Sequence, residues 1–167
     1  MEKDDFFVQS GIMSNIIIID QLINTGVFTD INLRVFQEPV FVSIIIKLND
    51  LLQKFNKLDN RISFNDDIIS GDITDLVNRV RNAACHIDSL ENLLDKESQS
   101  KFVFSMIIGR GNAISINGKN MAFSDYEDEI AFFYGENRLY FKRHLIRLIN
   151  EVKITFNKLY PNNKYPF

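Results

Sequence analysis

The chain has one cysteine (Cys85), no tryptophan, three prolines and two histidines among its 167 residues. A lone cysteine excludes an internal disulfide and suits a reducing compartment. With only His86 and His144 and no second thiol, a zinc site of the usual kind lacks ligands, so neither metal nor cofactor is expected. No glycine-rich phosphate loop is present, since Gly109-Arg110-Gly111 is a lone short turn. No Ser-His-Asp order can be traced along the chain. The longest apolar stretches are short: Ile16 to Ile19 and Val40 to Ile46 fall well below the roughly 20 residues that cross a bilayer. The first residues, MEKDDFF, are acidic where a signal peptide is basic. These absences point to a soluble, cytoplasmic protein with no membrane partner.

What is abundant is apolar mass. Hydrophobic residues make up 46% of the chain and Phe alone accounts for 15 positions, which predicts a core of Phe, Ile and Leu. The net charge of -3 gives no general attraction to nucleic acid, so any such contact needs a local basic patch. No repeat, linker or charge block divides residues 1–167, and one domain is expected.

Helical spacing dominates the pattern. A first helix is expected over about Ile12 to Ile23, ending near Gly26. A second starts at Glu38-Pro39, with Val42, Ile45, Ile46, Leu48, Leu52 and Phe55 on its inner face. Asn60 to Asp67 reads as a loop. A third helix starts near Asp72 and runs past His86, its stripe formed by Ile73, Leu76, Val77, Val80, Ala84 and Ile87, and the pattern continues through Leu90, Leu93 and Leu94. Lys101 to Ile108 is rich in strand formers, Ala113 to Asn117 alternates, and Asn117-Gly118 signals a hairpin followed by Asn120 to Phe123. Ser124-Asp125-Tyr126-Glu127 fits a capping box that restarts helix. A long last helix, about Glu136 to Tyr160, carries Leu145, Leu148, Ile149, Val152, Phe156 and Leu159 on one face. The expected fold is mainly α: a four- to five-helix bundle with a small β-hairpin insertion around residues 101–123.

Candidate chemistry gathers at Arg81-Asn82-Ala83-Ala84-Cys85-His86. An Arg followed by His at such spacing occurs three times, as Arg79 with His86, Arg81 with His86, and Arg138 with His144. Asn82 after Arg81, and the small run Ala83 to Cys85, single out the middle pair. Here the sequence resembles the HEPN superfamily, helical-bundle proteins many of which are ribonucleases of toxin–antitoxin and phage-defence systems. Arg81 matches the family's Arg, Asn82 its polar position and His86 its His. The block Asp125 to Leu148 is similar to a plasmid- and defence-associated branch. The resemblance implies a bacterial, metal-independent endoribonuclease, a homodimer with its site at the interface, an RNA substrate and a cognate antitoxin. It leaves an alternative, a non-catalytic RNA- or nucleotide-binding or regulatory module.

The residue types suit RNA cleavage. RNA carries its own nucleophile, the 2′-OH, and an imidazole titrating near neutrality can take that proton or protonate the leaving 5′-oxygen. A guanidinium can hold the phosphate and stabilise charge growing on its oxygens. On a straight helix, however, Arg81 and His86 point roughly 140° apart, whereas Asp75, Arg79, Asn82 and His86 share one face. Arg81 therefore meets His86 only if the helix bends or if the guanidinium comes from a second copy; otherwise Arg79 is the better partner. Tyr140, Arg143 and Arg147 form a candidate substrate-binding face on the last helix, with a phosphate backbone over the guanidinia and a base on the ring. The bland reading of that face is a solvated helix surface, and that of His144 is a structural histidine. Cys85 reads as a packing residue. The acidic patch Asp125, Glu127, Asp128 and Glu129 reads as a charge bias favouring a helix N-terminus.

Overall fold

The computed structural model describes residues 3–66, 71–86, 88–95, 100–101 and 104–162. The chain forms two compact units, Met1–Phe64 with Leu148–Phe167, and Asn65–Arg147. In the first lie α1 (Lys3–Asn24), α2 (Arg34–Lys57) and nearly all of α4 (Arg147–Leu159). Ile12, Ile16 and Ile19, one helical face of α1, are fully buried. Phe41, Ile44, Ile45, Leu48, Leu51, Leu52 and Phe55 are the buried apolar residues of α2, so Val42 and Ile46 lie off the face assigned to them from sequence. Polar ties brace the unit as well: Lys153 pairs with Asp20 at 2.7 Å, and Asn15 Nδ2 donates to Asp50 Oδ2 at 2.8 Å. Over Phe6–Asn24, α1 is long and apolar enough by composition to cross a membrane. Counting the longest apolar stretches overlooks this, because the pairs Gln9-Ser10, Ser14-Asn15 and Asp20-Gln21 divide the segment while its average stays apolar.

The second unit corrects the expected fold class. Among its described residues it holds α3 (Ile73–Cys85) and seven strands: β1 (Leu93–Asp95), β2 (Ser100–Lys101), β3 (Ser105–Ile108), β4 (Gly111–Ile116), β5 (Lys119–Ser124), β6 (Ile130–Tyr134) and β7 (Asn137–Tyr140). The strands pair antiparallel as β1-β2, β3-β6-β7 and β4-β5. The protein is thus mixed α and β, not a mainly helical bundle with one insertion. The expected hairpin is present as β4 and β5 about Asn117-Gly118, both with positive φ. Strand structure then continues where helix was expected. Ser124 closes β5 instead of capping a helix, and residues 137–140 are a strand instead of the start of the last helix.

The reason lies in β6. All five residues of Ile-Ala-Phe-Phe-Tyr are buried. A helix presents such a run all round, whereas the central strand of a sheet covers both of its faces. Flanked by β3 and β7, β6 overrides the capping signal at Ser124. Leu90, Leu93 and Leu94 likewise fall in a 3-10 turn (Leu90–Asn92) and in β1, not in an extension of α3. Phe141–Ile146 forms a π-helical turn that leads into α4. Its first amides are satisfied from a distance: the buried Glu129 carboxylate accepts from Lys142 N at 3.0 Å and Arg143 N at 2.9 Å. Ile87 of the expected α3 stripe, Phe102 and Val103 of the expected strand, and Asp67 of the expected loop lie outside the described residues.

β6 and β7 are joined by Gly135-Glu136, and Gly135 has φ +56. A Cβ there would lie 2.2 Å from Glu91 O and 2.9 Å from Leu93 O. Both the positive φ and the backbone contact demand glycine. Gly135→Ala is therefore expected to cost more than about 3 kcal/mol. Urea denaturation followed by circular dichroism measures it; a loss below about 1 kcal/mol would mean that the turn can move away from the 90–93 segment.

Candidate functional site

α3 begins where the sequence reading placed it, with Asp72 accepting from Asp75 N at 2.9 Å as N-cap. Ile73, Leu76, Val77 and Val80 are buried, and Ala83 rather than Ala84 completes the stripe. The helix does not run past His86. It ends at Cys85, and His86 takes an extended conformation (φ -130, ψ 101) while its N–H still donates to Asn82 O at 3.0 Å. This break removes the 140° separation of a continuous helix. Arg81 Nη1 lies 3.4 Å from His86 Nε2 and donates to Asn82 Oδ1 at 3.2 Å. A guanidinium only donates, so Nε2 accepts and the neutral ring carries its proton on Nδ1. His86 is exposed, and Arg81 and Asn82 are half-buried. One chain assembles the trio by itself.

Arg79 faces elsewhere. It lies 200° around α3 from Arg81 on ideal helix geometry, and its Nε donates to Asn137 Oδ1 at 3.1 Å. Its side chain lines a cleft of about 520 Å³ together with Glu91, Met121, Phe123, Asn137 and Arg138. Of the two arginines left open by spacing, the structure brings Arg81 to His86. The reading from sequence missed two amides that organise this region. Asn92, 2% exposed, donates from Nδ2 to His86 O at 3.0 Å. Asn137, also buried, meets Arg79 and Glu91. Asparagine is so common in this chain that composition gave no cue to either.

The candidate RNA-binding face is rearranged. Tyr140 is fully buried in β7, its hydroxyl accepts from Asp125 N at 3.1 Å, and its ring meets Tyr126 edge-on. It cannot stack on a base, which corrects its assignment as a substrate contact. The helical spacing that placed it beside Arg143 and Arg147 does not apply to a strand residue. Arg143 is exposed, but its guanidinium lies over the Tyr126 ring at 3.7 Å and beside Glu129 at 3.8 Å. Arg147 is exposed at the start of α4. The nearby cations are matched one by one: Arg138 with Asp125 at 2.9 Å, Lys142 with Asp128 at 3.4 Å, and Arg110 with Glu127 at 3.6 Å. The acidic patch thus neutralises the basic face, and only Glu129 serves a helix N-terminus, that of the following helical segment.

His144 belongs to the frame. It is fully buried; Nδ1 accepts from Tyr140 N at 3.0 Å, and Nε2 lies 2.8 Å from Asp66 Oδ2. Acceptance at Nδ1 fixes the Nε2–H tautomer, which donates to the carboxylate. Both nitrogens are engaged, which leaves no atom for substrate. Burial lowers the pKa below the usual 6.5, with the Asp66 hydrogen bond and charge opposing that shift. A depressed folded-state pKa means that the unfolded chain takes the proton first. The stability contributed by neutral His144 is full above about pH 6.5 and is lost as pH falls through the folded value. Urea midpoints at pH 7.5 and 5.5 should therefore differ more in the wild type than in His144→Gln; equal differences would show that another group carries the acid sensitivity.

Compared with protein-family models, with curated proteins and with solved structures, the chain matches none, so the reading of the Arg81–His86 cluster rests on its own residues and geometry.

Proposed function

We propose that the chain is a metal-independent endoribonuclease whose site is the cluster of Arg81, Asn82 and His86. One observation carries the reading: an exposed imidazole nitrogen 3.4 Å from a guanidinium, on a backbone turned out of the helix. His86 is also the one histidine with solvent access, because His144 is buried with both nitrogens bound. The helical-bundle scaffold implied by the HEPN resemblance is no part of the proposal.

The chemistry follows from these groups. At rest the Nε2 lone pair faces the guanidinium. A bound phosphodiester offers better acceptors, so Arg81 turns its donors to the phosphate oxygens and Nε2 becomes free. The imidazole takes the proton of the 2′-OH, the oxygen attacks phosphorus, and the 5′-oxygen leaves with a proton. Arg81 stabilises the charge that builds on the non-bridging oxygens. Asn82 Oδ1, by accepting from Nη1, holds the plane of the guanidinium. The products are a 2′,3′-cyclic phosphate and a 5′-OH.

A single imidazole cannot be base and acid in the same step. Two copies, one contributing a neutral His86 as base and the other a protonated His86 as acid, would supply both, which is the physical case for the homodimer in this proposal. The cellular setting it adopts is a cytoplasmic toxin or defence effector, restrained by an antitoxin.

The test is end-labelled RNA incubated in EDTA with wild-type protein, His86→Ala and Arg81→Ala, each checked for fold. Wild type should leave cyclic phosphate ends and spare DNA. The variants should be slower by about 10²- to 10³-fold. Cleavage that persists in folded His86→Ala would sink the assignment. RNA retention without cleavage by wild type would instead favour a non-catalytic binding module.

A further inference from the structure

We infer that His86 is held in place by a buried amide relay running from Arg79 through Asn137 and Glu91 to Asn92, so that Arg79 and Asn92 are positioning residues for the cluster. This rests on the reading of Arg81 and His86 as the reactive pair and extends it to how that pair is set. The imidazole of His86 is exposed, yet its backbone is pinned at three points. Its N–H donates to Asn82 O at 3.0 Å, and its carbonyl accepts from Ser89 N at 2.9 Å and from Asn92 Nδ2 at 3.0 Å. The first two bonds are local and belong to the helix end and the turn after it. The third comes from a side chain only 2% exposed, whose other polar atom, Oδ1, has no hydrogen-bond partner among the described residues. A buried amide that leaves its oxygen unsatisfied while donating to one carbonyl is committed to that carbonyl, since the flipped amide would set oxygen against oxygen.

What holds Asn92 is the β6–β7 turn. Gly135 lies flat on the 90–93 segment, with no room for a Cβ against Glu91 O, Asn92 C or Leu93 O. One position past Glu136, Asn137 Nδ2 lies 3.3 Å from Glu91 O and 3.2 Å from Glu91 Oε2. Asn137 Oδ1 accepts from Arg79 Nε. Arg79 sits two residues before Arg81 on α3, so the relay leaves the helix on one side, crosses the turn and returns to the residue that follows its end. The loop is closed: α3 carries Arg81 directly and fixes His86 indirectly. This explains how both arginines can matter while only one touches the imidazole.

The experiment reads the His86 ring itself, without RNA. Long-range 1H–15N NMR of the full chain at pH 8 reports the tautomer of each histidine, and the chain has only two. In wild type His86 should be biased to Nδ1–H, with Nε2 accepting from Arg81, and His144 to Nε2–H. Asn92→Asp keeps the shape but replaces the donor with an acceptor; Asn137→Ala and Arg79→Gln cut the relay further back. Each should move His86 toward the tautomer mixture of an exposed peptide histidine while the buried His144 signals stay put, certifying the fold. If Asn92→Asp loses the His144 signals, the two more distant variants decide. A wild-type His86 without the bias, or one whose bias survives in folded variants, overturns the relay. Because no RNA is present, failure of the ribonuclease reading shows separately, as absence of cleavage. Where cleavage is seen, Arg79→Gln should lower kcat by about 10- to 100-fold at unchanged KM, and Arg79→Lys should recover part of it.

Discussion

The five buried residues of β6 impose the constraint from which the second unit follows. Ile130 to Tyr134 are buried on both faces, so strands must flank them, and β3 and β7 do so. Once β7 pairs back on β6 through a two-residue turn, Gly135 presses on the 90–93 segment and Asn137 reaches Glu91. The segment after α3 then cannot continue as helix, because its place is set by that turn. His86 leaves the helix as a consequence. The candidate site is thus a product of strand pairing some fifty residues downstream in sequence, and only its side chains are local.

This explains what could and could not be read in advance. The N-cap at Asp72, the first turns of the α3 stripe (Ile73, Leu76, Val77 and Val80), the Asn117-Gly118 hairpin and the α4 positions Leu148, Ile149, Val152 and Phe156 are decided within a few residues, and each is where local chemistry puts it. The end of α3, the strand character of 130–140 and the burial of Tyr140 are tertiary decisions. A capping box at Ser124 is worth about 1 kcal/mol. Burying Phe132, Phe133 and Tyr134 stabilises by several times that amount. A short apolar run of this kind fits strand and helix equally well by period alone, and its partners decide between them.

The electrostatics of the unit bear on how a polyanion would meet it. Arg110, Arg138, Lys142 and Arg143 would make a cationic surface if they stood alone, but each faces a carboxylate from 125–129. The exposed pairs among these, Arg110–Glu127 and Lys142–Asp128, contribute little stability. Their effect on binding is larger, since a phosphate must displace a carboxylate to gain a guanidinium. Nonspecific, salt-sensitive attraction to nucleic acid is correspondingly muted, in line with a net charge of -3. Recognition at the Arg81 cluster then has to come from short-range geometry, which places weight on how firmly His86 and Arg81 are held.

Firmness and access pull in opposite directions at such a site. A buried histidine is well placed but spent, as His144 shows, with one nitrogen on Tyr140 N and the other on Asp66. An exposed histidine is available but free to rotate, which lengthens the search for a productive geometry. His86 combines the two by separating them: the ring is in solvent, while the backbone that carries it is bonded on both its N–H and its carbonyl, the latter to a buried amide. Arg81 limits what remains, the χ rotation of the ring, through its contact with Nε2. On the proposed chemistry the Arg81 contact has to open for proton transfer at Nε2, and the exposed ring and half-buried guanidinium both reach solvent, where a phosphate can meet them. The backbone bonds need not change at all, so on the proposed ribonuclease reading the part of the order hardest to rebuild in each turnover would be the part already supplied by the fold.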